Sequence, residues 1–174
     1  MATIVVLIGL PGSGKSSYAS NMKSVWTSDI EKWEICSSDQ TRKSLYGDES
    51  IQGNPETVFK VLHNQVKAYL HDDINVIYDA TNINRKSRKQ ILKIGASIPN
   101  TKIEAHIVWT PIDTCIERDL QRTRTVGIEV IKKMLYRWET PFYDEGFDKI
   151  KVIKAVDPFW TETKYMSECW VAMN

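Results

Sequence analysis

The chain has 174 residues, 42% of them hydrophobic and 26% charged. That is enough for one α/β domain with its own core and too little for two ordinary ones, and the composition excludes wholesale disorder. A formal net charge of +1 neither demands nor excludes a nucleic-acid partner. No run reaches the eighteen or so apolar residues of a membrane span. Cys36, Cys115 and Cys169 form no C-x-x-C pair and no disulfide framework, so free thiols, a cytoplasmic location and no membrane association are expected.

Thr3–Ile8 is apolar and β-branched, the pattern of a strand buried on both faces. It leads into Gly9-Leu10-Pro11-Gly12-Ser13-Gly14-Lys15-Ser16, which fits G-x-x-x-x-G-K-[ST] at every fixed position. Residues Ser16 to Met22 can open a helix. In this context the glycines let backbone N–H groups turn around phosphate oxygens, and the helix N-terminus adds partial positive charge. Lys15 can reach the β- and γ-phosphates, and the Ser16 hydroxyl can ligate Mg²⁺. A nucleoside triphosphate site built from Gly9, Pro11, Gly12, Ser13, Gly14, Lys15, Ser16 and Ser17 is therefore expected, with ATP and Mg²⁺.

Trp33–Cys36 is a short strand, followed by Ser37 or Ser38 as N-cap of a helix from about Gln40 to Tyr46 that stops at Gly47. After a loop, Val58, Val61, Leu62, Val66 and Tyr69 give a helix over about Glu56–Leu70 one apolar face. Asn75–Asp79 is the next strand. Asn84 can cap a helix from Arg85 to Ile94, ending near Gly95. Lys102–Trp109 is a strand, and Pro111 precedes a helix from Ile112 to about Leu120. A basic stretch runs on to Thr125. A helix over Ile128–Trp138 and a strand over Lys149–Ala155 follow, and the aromatic tail from Asp157 is expected to pack on the body.

Alternating strands and helices imply right-handed βαβ crossovers. The expected fold is an α/β P-loop NTPase, a kinase-like three-layer sandwich with a mainly parallel sheet and an arginine-bearing lid at about 118–127, formed as one domain over 1–174. Ligands of such sheets lie beyond the carboxyl ends of the strands, which singles out Gly9–Ser16, Ser38–Arg42 and Asp79–Asn82.

Asp39 should face the phosphate loop, and Arg42, three residues on, shares its helix face. A carboxylate there can accept the proton of an attacking hydroxyl, and the Arg can bind an anionic group on the acceptor. The same pair also reads as a capping aspartate with a surface ion pair. Asp79, at a strand end, can hold Mg²⁺ through water or brace the loop; Thr81 and Asn82 can be structural or touch the acceptor. Between Ile83 and Lys102 lie Arg85, Lys86, Arg88, Lys89, Lys93 and Lys102 with no acidic residue. The run attracts a nucleic-acid backbone but reads first as a solvated helix face. Arg118 and Arg122, spaced i,i+4, with Arg124, suit a basic lid over transferring phosphate oxygens. The tryptophans read as packing residues.

Taken together, the phosphate loop, Ser37-Ser38-Asp39-Gln40-Thr41-Arg42, Asp79-Ala80-Thr81-Asn82, Cys115-Ile116-Glu117-Arg118-Asp119-Leu120-Gln121-Arg122 and Gly127-Ile128-Glu129-Val130-Ile131 resemble the polynucleotide 5′-hydroxyl kinase family, over about Ile4 to Trp138. The resemblance implies transfer of the ATP γ-phosphate to the 5′-OH of a DNA or RNA end in end healing. It implies Asp39 as general base and Arg42 on the phosphate beside the acceptor nucleoside. It also implies Arg118, Arg122 and Arg124 on the donor phosphates. Apart from the resemblance, Thr81, Asn82 and Arg85 are candidate acceptor-side residues by their place just after a strand. No D-x-D-x-[TV] motif occurs, so 3′-phosphatase activity is not expected. The residues also suit a kinase of a nucleoside, nucleotide or sugar, or a nucleotide-dependent RNA- or protein-binding factor.

Overall fold

A computed structural model describes residues 1–156 and 159–163. Along them run β1 (Thr3–Ile8), α1 (Lys15–Trp26), β2 (Trp33–Ser37), α2 (Ser38–Tyr46), α3 (Pro55–His71) and β3 (Asn75–Asp79). These are followed by α4 (Arg85–Ser97), β4 (Lys102–Trp109), α5 (Ile112–Leu120), α6 (Ile128–Tyr136), a 3-10 turn at Tyr143–Glu145, β5 (Lys149–Val156) and β6 (Phe159–Thr163).

The strands form one sheet in the order β2-β3-β1-β4-β5-β6. The first five are parallel, and β6 runs antiparallel to β5. β1 is central because its side chains are apolar on both faces: Ile4 to Ile8 are all essentially inaccessible. Successive residues of a strand point to opposite faces. Ile4, Val6 and Ile8 accordingly meet Leu62, Val66 and Leu70 of α3 and Ile91 and Leu92 of α4. Val5 and Leu7 meet Tyr18, Ala19 and Met22 of α1 on the other side. This is the three-layer α/β sandwich the alternation implies. β1 is flanked by β3 and β4; the chain leaves β1 through α1 toward β2 on one side and leaves β4 through α5 and α6 toward β5 on the other, which leaves a crevice at the carboxyl ends of β1 and β4.

The structure departs from the sequence reading at several places. α4 does not end near Gly95 but continues to Ser97. A Cβ at Gly95 would lie 2.5 Å from Ile103 Cδ1, so this glycine serves the close approach of helix to sheet. α1 runs past Met22 to Trp26, whose ring packs on Trp33 with centroids 4.8 Å apart. α6 stops at Tyr136, short of Trp138. Phe159–Thr163, read as tail, adds β6 to the edge of the sheet; Tyr165 and Trp170 lie outside the described residues. Cys36 and Cys115 are free and buried, and Cys169 is outside the described residues. No helix among the described residues is long and apolar enough to cross a membrane.

Candidate active site

The loop after β1 is shaped by its glycines. Gly9 donates its N–H to Thr81 O at 3.2 Å, and a Cβ on it would sit 2.8 Å from Val108 O. Gly12, at φ +79°, lies against the backbone of Cys115, so a side chain there would be strained and would collide. Gly14 is the N-cap of α1, in the left-handed region at φ +93°. It brings no side-chain cap, and the first turn holds no acidic residue, which leaves the leading N–H groups, including those of Ser16 and Ser17, open to an anion. Thr110 Oγ1 donates to Ser13 O at 2.9 Å and steadies the loop from the end of β4. Ser13 Oγ is buried without a hydrogen-bond partner among the described residues, and Pro11 is half-buried.

Lys15 Nζ folds back onto Gly9 O at 2.9 Å and Leu10 O at 2.8 Å. Burial pulls the Lys15 ammonium down to about 8, while the nearby Asp79 carboxylate pulls the other way. Such an ammonium regains its charge preference when phosphate oxygens replace the missing solvent. The uncapped helix start, the orphaned Ser13 hydroxyl and the glycine cradle therefore fit a polyphosphate.

Ser16 Oγ donates to Asp79 Oδ2 at 2.8 Å, joining α1 to the end of β3. Asp79 is 6% exposed, and burial raises its carboxyl against the opposing field of Lys15. The bracing bond left open by the sequence exists. A hydroxyl and a carboxylate side by side also form a hard-oxygen donor set suited to Mg²⁺, which keeps most of its water and phosphate ligands.

Asp39 is the second residue of α2, a helix whose N-cap Ser37 accepts from Asp39 N at 3.3 Å. Its Oδ1 accepts from Arg42 Nη1 at 2.6 Å, so the pair inferred from i,i+3 spacing is made. Asp39 stays half-exposed, Arg42 is largely covered, and Arg42 Nε is buried with no partner among the described residues. Asp39 and Arg122 both act electrostatically on Lys15 and Asp79, so the phosphate loop, the carboxylate pair and the lid face one crevice.

The lid arginines divide. Arg118 Nη1 reaches Gly12 O at 3.4 Å, and Arg122 is exposed, without a side-chain partner among the described residues. Arg124 instead crosses to Glu49 O, with Nη1 4.0 Å from Asp39 Oδ1, which puts its guanidinium on the Asp39 side of the crevice. Asp119, 1% exposed, accepts from Val126 N at 2.9 and 3.0 Å and from Gly127 N at 2.9 Å. Sequence reasoning missed this clamp at the lid's return; an acidic residue amid arginines, eight residues before the glycine that precedes a helix, was the available signal.

Three sequence candidates are engaged in structure. Asn82, buried at φ +50°, gives its amide to Leu7 O at 2.8 Å and Ala80 O at 3.2 Å. Thr81 supplies the carbonyl that holds Gly9. Arg85 pairs with Asp144 at 3.0 Å and lies over the Phe142 ring. Arg88, read as part of a solvated basic face, is instead fully buried. It donates from Nε and Nη2 to Glu145 at 2.8 Å each, and from Nη1 to Asn82 O at 3.0 Å and Glu139 O at 2.9 Å.

A family model described as an AAA domain matches residues 4–141. The chain belongs to this AAA domain family. Its fold is that of the P-loop kinases. The chain is 29% identical over 155 residues to transcription factor bHLH140 of Arabidopsis thaliana, covering 84% of this chain and 15% of that one. It is 25% identical to L-seryl-tRNA(Sec) kinase of Methanococcus maripaludis, covering 79% and 53%. To a protein of Autographa californica nuclear polyhedrosis virus named as a bifunctional polynucleotide kinase/RNA ligase it is 27% identical, covering 75% and 20%. The chain thus spans at most about half the length of these relatives. Among solved structures it resembles a chain of the Pnkp1/Rnl/Hen1 RNA repair complex (TM-score 0.66, 24% identity, covering 78% and 43%). It also resembles Chaetomium thermophilum Kti12 in complex with ADP-AlF3 (TM-score 0.70, 18% identity, covering 98% and 95%).

Proposed function

We propose that this chain transfers the γ-phosphate of ATP to the 5′-hydroxyl of a DNA or RNA end. The observation that carries the reading is Asp39, half-exposed and paired with Arg42, facing the same crevice as Lys15 and the Ser16–Asp79 pair. Lys15, the α1 N-terminus, Arg118 and Arg122 hold the donor phosphates. Ser16 and Asp79 would hold Mg²⁺, which when bound neutralises the β- and γ-phosphate oxygens. Asp39 takes the proton of the acceptor hydroxyl as its oxygen bonds to the γ-phosphorus; the bond to the β–γ bridging oxygen breaks and ADP leaves with the electron pair. Arg42, with its unspent buried Nε, positions the phosphate next to the acceptor nucleoside. The relative named as a polynucleotide kinase/RNA ligase supports the same acceptor class.

The test is transfer from γ-labelled ATP with Mg²⁺ to a 5′-hydroxyl oligonucleotide, with nucleosides and sugars in parallel. Label on the oligonucleotide end is expected; label on a monomer alone would overturn the acceptor. A second reading, a hydroxyl kinase acting on a small group carried by tRNA, is favoured by the relative named L-seryl-tRNA(Sec) kinase.

A further inference from the structure

A groove of about 290 Å³ opens at Thr81 and Asn82, just past the carboxyl end of β3, and is walled by Val130, Lys133 and Met134 of α6. Asn84 and Arg137 also line a second cleft of about 550 Å³, bordered by Lys86 and Tyr136. Lys86, Lys133 and Arg137 are exposed, and their side chains make no ion pair or hydrogen bond among the described residues. The neighbouring acids are largely spent elsewhere. Asp144 holds Arg85, Glu145 holds Arg88, Glu129 lies 3.6 Å from Lys132, and Glu139 accepts the N–H of Arg85. Tyr136, on the last turn of α6, is 93% exposed.

The geometry points to this double groove as a track for single-stranded nucleic acid leading away from the phosphate-transfer crevice, an inference that rests on the proposed polynucleotide acceptor and deepens it. Unpaired cations in a concave channel attract successive phosphates, and an exposed aromatic ring offers a face on which any base can stack. The fold leaves the Tyr136 ring in water, where it contributes little to stability; stacking a base covers it. Lys133 and Arg137 line the groove that opens at Thr81, and Lys86 and Arg137 line the second cleft, so phosphates beyond the first nucleotide are the groups they would meet.

The experiment uses a fluorescent single-stranded oligonucleotide of about twelve nucleotides, already 5′-phosphorylated so that no turnover intervenes. Its anisotropy is titrated with the whole chain across a salt series. Lys86→Ala/Lys133→Ala/Arg137→Ala should weaken binding at least about tenfold and reduce the slope of log affinity against log salt by about 2, since each phosphate contact on a single strand contributes about 0.7. Tyr136→Ala should weaken binding by roughly fivefold or more with little change in that slope. In the kinase assay the triple variant should raise KM for the oligonucleotide and leave kcat and KM for a nucleoside 3′-monophosphate unchanged. If the wild type labels oligonucleotide ends while the variants bind and turn over as it does, the track is wrong and the kinase reading stands. If the wild type labels only monomers, the acceptor reading falls, and anisotropy alone decides the groove. Oligonucleotide binding lost in the triple variant keeps the track, whereas absent or unchanged binding removes it.

Discussion

Arg88→Ala removes the cation from the ion pair that ties α4 to the 3-10 turn at Tyr143–Glu145. Arg88 is fully buried and the Glu145 side chain is 4% exposed, so water cannot replace the lost partner. Truncation leaves a buried carboxylate without its fork, and leaves the carbonyls of Asn82 and Glu139 without a donor. Breaking a buried pair from one side costs about 3–5 kcal/mol. For a chain of this size each kcal/mol shifts Tm by about 2–4 °C, which makes the expected loss roughly 6–20 °C. Arg88→Lys keeps the charge but lacks the planar fork and should fall in between. The double variant Arg88→Met/Glu145→Leu removes both charges and should recover much of the loss, because apolar replacement of a whole pair is often neutral. Urea unfolding followed by circular dichroism, completed as a double-mutant cycle, measures the coupling. A loss below about 1 kcal/mol for Arg88→Ala, or a double variant no more stable than the single, would refute the assignment of a structural buried pair.

The phosphate loop offers two further tests. Lys15, held down to about 8 by burial, is neutral in the free protein at higher pH. ATP affinity measured by calorimetry should therefore be level below that pH and weaken above it by up to about tenfold per pH unit, and Lys15→Met should abolish the trend. The same depression below the ordinary 10.5 means that the unfolded chain binds the extra proton. Without nucleotide, this group's contribution to stability should thus grow as pH rises from about 8 toward 10.5. Gly12→Ala meets both a positive φ and the Cys115 backbone; it should cost at least about 1–2 kcal/mol in thermal melts and lower ATP affinity, whereas wild-type stability would contradict the close approach. At the lid, Asp119→Ala should speed amide hydrogen exchange at Val126 and Gly127 and raise the KM for ATP, because hydrogen bonds to a buried carboxylate are worth about 1.5–3 kcal/mol. Unchanged exchange there would remove the clamp.

Local signals carried the parts of this protein that were legible in its sequence. β1, β3 and β4 end where their apolar runs end, and the glycines of the phosphate loop announce a backbone that only glycine can adopt. Asp39 and Arg42 were legible because i,i+3 spacing puts two side chains within reach on any helix. Arg88 was not, since its partner is 57 residues away and an arginine in a basic run looks like its neighbours until Glu145 is folded over it. Gly95 misled because a glycine can end a helix or admit a neighbouring strand, and only the position of Ile103 distinguishes the two. Asn82 read as either structural or acceptor-contacting by its place after β3, and only the fold shows that its amide is spent on the end of β1. β6 had no pattern strong enough to separate it from tail, because its place as an edge strand is set by pairing with β5, which its own sequence does not announce.

The most direct measurement is phosphate transfer to a 5′-hydroxyl oligonucleotide by the wild type and by Asp39→Asn, with ATP affinity measured on both. If Asp39 is the base, the wild type labels the 5′ end, while the variant binds ATP as tightly and loses at least about a hundredfold in turnover. A variant that turns over like the wild type, or a wild type that binds ATP and labels no oligonucleotide, would contradict the proposed reaction.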